Sequence, residues 1–169
     1  MELAQYQQQN SLQTLREAME EYFSINPGLH KLKPGEPGAE LFLPHDACHI
    51  IFGLGTSIIE EAMADIWTLY GSDVGTRRYL GYIRYIAQLS PDSIVKQIGL
   101  ETIAYHLVVG GPYMWKARKS AKRMLSTWPF DRYQEYYDKS LTKIRRSFGI
   151  EVLHIPKRYR RASSVHAQQ

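Results

Sequence analysis

The chain has 169 residues, 44% apolar and 22% charged, the size of one ordinary domain, with enough apolar side chains for a core; this excludes general disorder. One cysteine, Cys48, excludes both an intramolecular disulfide framework and a cysteine-built zinc site. No window approaches the roughly eighteen apolar residues of a membrane span, and the net charge of +4 is gathered in local clusters: Arg118, Lys119, Lys122 and Arg123, then Lys143, Arg145 and Arg146, then Lys157, Arg158, Arg160 and Arg161.

Taken in chain order, the start "MELAQYQQQN" lacks the basic residues and apolar run of a secretory leader. The expected location is therefore cytoplasmic, or peripheral on the cytoplasmic face of a membrane. "SLQTLREAMEEYF" predicts a short amphipathic helix capped by Asn10 or Ser11 and ending near Asn26-Pro27-Gly28. "HKLKPGEPGAELFL" reads as a loop, with Pro34, Gly35, Pro37 and Gly38. From Pro44 helical signals dominate to about residue 148. "TRRYLGYIRYIAQ" puts Tyr79, Ile83 and Ile86 on one helical face. Ser90-Pro91 starts a helix that Gly110-Gly111 should stop, and Pro112 should open another. A helix over about Asp131 to Ser147 closes at Gly149, and "IEVLHIP" reads as extended. No segment alternates at period two long enough for a sheet. The expected fold is all-α, a multi-helix bundle over residues 1–156, followed by a basic, disordered tail over 157–169.

The window "LPHDACHIIFGLGTSIIEE" carries the chemistry. Proline suits a first helical position, so the helix is expected to begin at Pro44, with His45 and Asp46 in its first turn. His49 is one turn beyond His45 on the same face, and Asp46 neighbours His49 at a spacing of three. Glu61 follows His49 by twelve residues, about 18 Å along a straight helix, whereas metal-ligand bonds are about 2 Å long. Gly53 and Gly55 supply the break, and Thr56 and Ser57 are natural caps. Ser57 and Glu60 also fit a capping box. The spacing predicts a tight turn at Gly53-Leu54-Gly55 and a second helix from about residue 57, folded back over the first. Glu60 would serve the cap and Glu61 would face the imidazoles. Two histidines with carboxylates suit Zn²⁺, Fe²⁺ or Mn²⁺, and Mg²⁺ where a phosphate shares the ion. The bland alternative is a solvated or core-satisfied histidine pair. No glutamate stands between the histidines, so the pattern is not that of a zinc protease.

At these residues the chain resembles the ubiquinone (coenzyme Q) biosynthesis family of the fourth-numbered "Coq" protein, in a bacterial-type form. That family carries H-D-x-x-H, eleven residues, then E, matched here by His45, Asp46, His49 and Glu61. "TKIRRSFGIEVLHIP" resembles the family's closing stretch. The resemblance implies an all-α fold and a divalent metal, zinc foremost, on those four residues, which would also be the catalytic centre. It implies replacement of the ring C1 carboxylate of a polyprenylated hydroxybenzoate-type intermediate by hydroxyl. The implied partners are a prenylated quinone precursor or isoprenoid lipid, other quinone-biosynthesis proteins at a membrane surface, and a second copy of the chain.

Tyr113, Arg118 and Lys122 are candidate contacts for a lipid or phosphate, although such basic residues more often form a solvated face. His106, on an apolar segment, reads as a core histidine before it reads as a ligand. Cys48 reads as a small buried residue. The competing function is a non-catalytic prenyl-lipid carrier or scaffold. Nucleic-acid binding has basic clusters but no reading motif, and is not expected.

Overall fold

A computed structural model describes residues 3–29, 31–33, 35–36, 38–81 and 94–159, with the backbone alone over 94–107. The described residues are helical and include no strand, only isolated bridges between Thr14 and Ser140 and between Ser72 and Trp128. The architecture is all-α. Helix α1 spans Leu15–Ile25, α2 Ala39–Phe52, α3 Ile58–Gly71, α4 Ile94–Ala121 and α5 Leu141–Phe148. Short 3₁₀ turns lie at Gln5–Gln7, Tyr133–Tyr136 and Lys157–Tyr159, and residues 76–81 are also helical.

The cap of helix α1 lies three residues later than Ser11. It is Thr14, whose side chain accepts from the Glu17 N–H while the Glu17 carboxylate accepts from the Thr14 N–H. Ser11 is buried, and its carbonyl takes the Thr142 N–H and hydroxyl. Thr14 and Glu17 form a T-x-x-E capping box, which satisfies two end groups at once.

Helix α2 begins upstream of the expected proline. Gly38, at φ 86°, is its N-cap, and Pro44 lies inside the helix. Proline cannot donate to the carbonyl four residues back, a real cost in a helix interior. Burial of Ala39 and Leu43 offsets it, extending the helix across a stretch that composition assigns to a loop. His45 and Asp46 therefore sit in the second turn, not the first.

Helix α4 runs unbroken through Gly110, Gly111 and Pro112, where a stop and restart was expected. A Cβ on Gly110 would lie 3.7 Å from Ile59, in ordinary van der Waals contact, so α4 lies against α3 at this point. Val108, whose carbonyl loses its partner at Pro112, is exposed and can be hydrated. The helix expected from Asp131 is interrupted at residues 137–140. There the free N–H groups of Leu15 and Arg16, at the start of α1, take the carbonyls of Lys139 and Tyr137. Gly149 closes α5 at φ 68°, as the sequence implies. Residues 151–156 have no regular structure, and Lys157–Tyr159 is ordered. Ile83, Ile86, Ser90 and Pro91, and the rest of the tail, lie outside the described residues.

The core gathers Tyr6, Tyr22, Phe52, Trp67 and Trp128, each at most 1% exposed. Phe52 stacks on Trp67 with centroids 4.4 Å apart and planes 10° apart, which fixes α2 against α3. Arg145, from the middle basic cluster, is not at the surface. It is 1% exposed and donates to the carbonyls of Tyr6, Gln8, Ile50 and Ile51 at 2.5–2.9 Å. It joins the N-terminal turn, the C-terminal end of α2 and α5 through backbone alone.

Candidate metal centre

The reversal expected at Gly53–Gly55 is present. Gly53 caps α2 at φ 71°, and its N–H reaches the carbonyls of His49 and Ile50. The Leu54 N–H also reaches the His49 carbonyl, at 2.8 Å. A side chain at Gly53 would be strained by its backbone and would meet Val152 at 2.5 Å. The Tyr6 hydroxyl donates to the Leu54 carbonyl at 3.1 Å and holds the turn from the core side. Ser57 then caps α3. Its hydroxyl donates to the Glu60 carboxylate at 2.6 Å and accepts from the Glu60 N–H. Glu60 serves the cap, which leaves Glu61 to face α2.

The two helices run antiparallel, so rising along α2 means falling along α3. His49 Nε2 stands 3.3 Å from Glu61 Oε2, and His45 Nε2 stands 3.5 Å from Asp65 Oδ1. The imidazoles neighbour each other at 5.0 Å between centroids. Both are buried, whereas the Glu61 and Asp65 side chains are 34% and 43% exposed. The site thus has a dry imidazole wall on α2 and a wet carboxylate wall on α3. From α1, the Tyr22 ring covers His49 at 5.7 Å.

His49 Nδ1 lies 2.9 Å from the Gly55 carbonyl. A carbonyl only accepts, so Nδ1 carries the proton and Nε2 is the nitrogen turned to Glu61. This is how a metal-binding histidine is commonly oriented, by a carbonyl on its other nitrogen. Burial pulls the His49 imidazolium down, but the Glu61 charge and hydrogen bond, Asp46 and the Gly55 bond together outweigh it and raise the group to about 9. Burial pushes the partly buried Asp46 carboxyl up to about 7, against the opposing pull of His45 and His49.

Of the residues expected from the sequence, His49 and Glu61 meet directly. His45 is adjacent but faces Asp65. Asp46 lies within electrostatic reach of both imidazoles and of Glu61. Among the described residues, no three histidine, cysteine, aspartate or glutamate side chains converge on one point as they stand. The donors stand as two imidazole–carboxylate pairs. The His49–Glu61 pair has the spacing of two ligands on one ion, 3.3 Å, since ligands about 2.1 Å from a tetrahedral or octahedral cation lie about 3.0–3.4 Å apart; the His45–Asp65 pair, at 3.5 Å, would have to close slightly. Asp65 was missed in the sequence. Its signal was the spacing: Glu61 and Asp65 are four apart, as are His45 and His49, and antiparallel helices pair such sets in reverse.

The lipid or phosphate candidates separate. Arg118 and Lys122 line one surface cleft of about 280 Å³ with Trp115 and Lys119. Tyr113 turns elsewhere, packing on the core with its ring 6.4 Å from that of Tyr159. Cys48 is fully buried, and burial pushes its thiol up to about 12, which makes it inert. The His106 side chain lies outside the described residues. No helix among the described residues is long and apolar enough to cross a membrane. Comparison with protein families, with curated proteins and with solved structures gives no match for this chain.

Proposed function

We propose that the α2–α3 hairpin binds a divalent cation, zinc foremost, with His45, His49 and Glu61 as ligands and Asp46 as a ligand or orienting group. The observation that carries this reading is the return of α3 over α2, which brings Glu61 to 3.3 Å from a His49 nitrogen whose partner nitrogen is held by the Gly55 carbonyl. The reaction class rests on the H-D-x-x-H, eleven residues, E pattern. On that basis the chain acts in ubiquinone-type synthesis, on a polyprenylated hydroxybenzoate-type acid at a membrane surface. The ring C1–carboxylate bond breaks and a C1–oxygen bond forms. With water as oxygen donor and dioxygen as two-electron acceptor, the products are the phenol, CO₂ and H₂O₂.

A bound divalent cation would supply Lewis-acid charge for a carboxylate or for oxygen. The chain's own residues do the rest. The Gly55 carbonyl holds the His49 tautomer, and Tyr22 keeps water from the imidazole wall. Asp46, poised near neutrality, can hold or release a proton beside the imidazoles.

A second reading, a non-catalytic prenyl-lipid carrier or scaffold, is favoured by the cleft on α4. Trp115 is 60% exposed beside Arg118, Lys119 and Lys122, a combination suited to a phosphate or an anionic headgroup. One assay separates the readings. The protein, with and without chelation, is given a prenylated 4-hydroxybenzoate-type acid in air. Cation-dependent CO₂ release supports the enzyme. Tight lipid retention without turnover, indifferent to chelation, supports the carrier. An unchanged zinc content in His49→Ala would remove the cation site itself.

A further inference from the structure

Asp65 has no place in the H-D-x-x-H, eleven residues, E pattern, yet it occupies the position opposite His45 that Glu61 occupies opposite His49. The two pairs are alike in geometry, 3.5 Å and 3.3 Å, and both use Nε2. Asp65 also has a second partner. The Tyr79 hydroxyl, on the helical stretch 76–81, donates to the same Oδ1 that faces His45. Tyr79 is only 6% exposed, so its ring is fixed by packing and the carboxylate has one preferred aim. A carboxylate oriented by a buried phenol and directed at a buried imidazole is the support arrangement that orders cation ligands.

We propose that Asp65, positioned by Tyr79, is a ligand of the α2–α3 cation site, completing a set of two histidines and two carboxylates. This rests on the cation reading above and goes beyond it by assigning a fourth donor and the residue that aims it. The set is electrically apt: two neutral imidazoles and two carboxylates balance a divalent ion, which lets it sit beside the dry wall of α2. It also gives Asp46, one residue from His45 and partly buried, the role of an orienting neighbour rather than a donor.

The test uses the full chain titrated with Co²⁺, read by visible absorption and by calorimetry. Wild type is expected to bind Co²⁺ with a ligand-field spectrum. Asp65→Asn should lower affinity about 10- to 100-fold and shift the spectrum. Asp65→Glu should recover part of both. Tyr79→Phe should weaken binding several-fold, with a smaller spectral change. Melting of the chelated variants reports folding separately; the Asp65 side chain is 43% exposed, so Asp65→Asn is expected to fold. If Asp65→Asn matches wild type in affinity and spectrum while His49→Ala loses binding, the assignment of Asp65 is overturned and the cation site stands. If wild type binds no Co²⁺, both fall.

Discussion

Arg145 and His49 are both buried cationic groups, each 1% exposed, and the fold treats them in opposite ways. Arg145 is surrounded by backbone carbonyls, which cannot move, titrate or leave. Burial alone lowers its guanidinium to about 10, so it stays charged at neutral pH. His49 has one nitrogen fixed on a carbonyl and the other turned to a carboxylate that is a third exposed. A cation ringed by fixed dipoles is a fastener. A nitrogen opposite a part-exposed, wetted carboxylate is a socket in which a proton and a metal ion compete.

The largest effect that tests this contrast is loss of the fastener. Arg145→Met should destabilise the protein by at least about 3 kcal/mol, because the buried Tyr6 and Ile51 carbonyls lose the guanidinium that satisfies them, while Ile50 and Gln8 keep the N–H groups of Gly53 and Ser11. Denaturant unfolding measures it, and a loss below about 1 kcal/mol would mean that water or rearrangement replaces the guanidinium. Arg145→Lys should recover little, since an ammonium lacks the planar fork.

Next comes the socket. His49→Ala should reduce Zn²⁺ affinity at least about 100-fold, while costing the chelated protein less stability than Arg145→Met does. Competition with a chromogenic chelator reads the affinity. Equal stability losses in the two variants would erase the distinction.

Acidity sharpens it further. His49 holds its proton more tightly folded than unfolded. Its contribution is full below the ordinary 6.5 and fades as pH rises through about 9. Chelated wild type should lose on the order of 2–3 kcal/mol across that window. Asp46 is also raised, from 3.8 to about 7, so its burial becomes increasingly unfavourable as pH climbs between those values. Asp46→Asn should therefore stabilise the chelated protein at pH 7 by about 1 kcal/mol or more. Saturating Zn²⁺, which displaces the His49 proton, should flatten the upper slope. A flat profile for the chelated protein would show that no proton is trapped between His49 and Glu61.

The smallest expected effect on stability belongs to the exposed cations at the C-terminal end of α4 and just beyond it. Charge reversal at Arg118 and Lys122 should change unfolding by under about 0.5 kcal/mol and yet weaken sedimentation with anionic phospholipid vesicles. Unchanged sedimentation at low salt would make this cluster plain solvated surface.

How far the sequence foretold these regions follows from where each signal resides. The hairpin was legible because its causes are local: a Gly-x-Gly break, a Ser57 cap and a histidine spacing of one turn. All-α architecture followed from the absence of period-two patterning. Arg145 stood out in the sequence only as one member of a basic cluster because its environment comes from residues far away in the chain. The continuity of α4 through Gly110-Gly111-Pro112 was hidden because local helix-breaking residues are carried by a long helix packed on α3, a tertiary contact. Asp65 needed the antiparallel pairing before its spacing meant anything, and the Thr14–Glu17 cap lay in plain view behind Ser11.

The carbonyls gathered by Arg145 lie 94 and 139 positions earlier in the chain. A growing polypeptide would release the histidine hairpin from the ribosome roughly eighty residues ahead of that guanidinium, on the order of 4–16 s of elongation. Through that interval the Tyr6 and Ile51 carbonyls wait without the guanidinium that joins them. The nascent chain can wind its helices early but can fasten them only near the finish, so C-terminal truncation before Arg145 should yield chaperone clients rather than a smaller working protein.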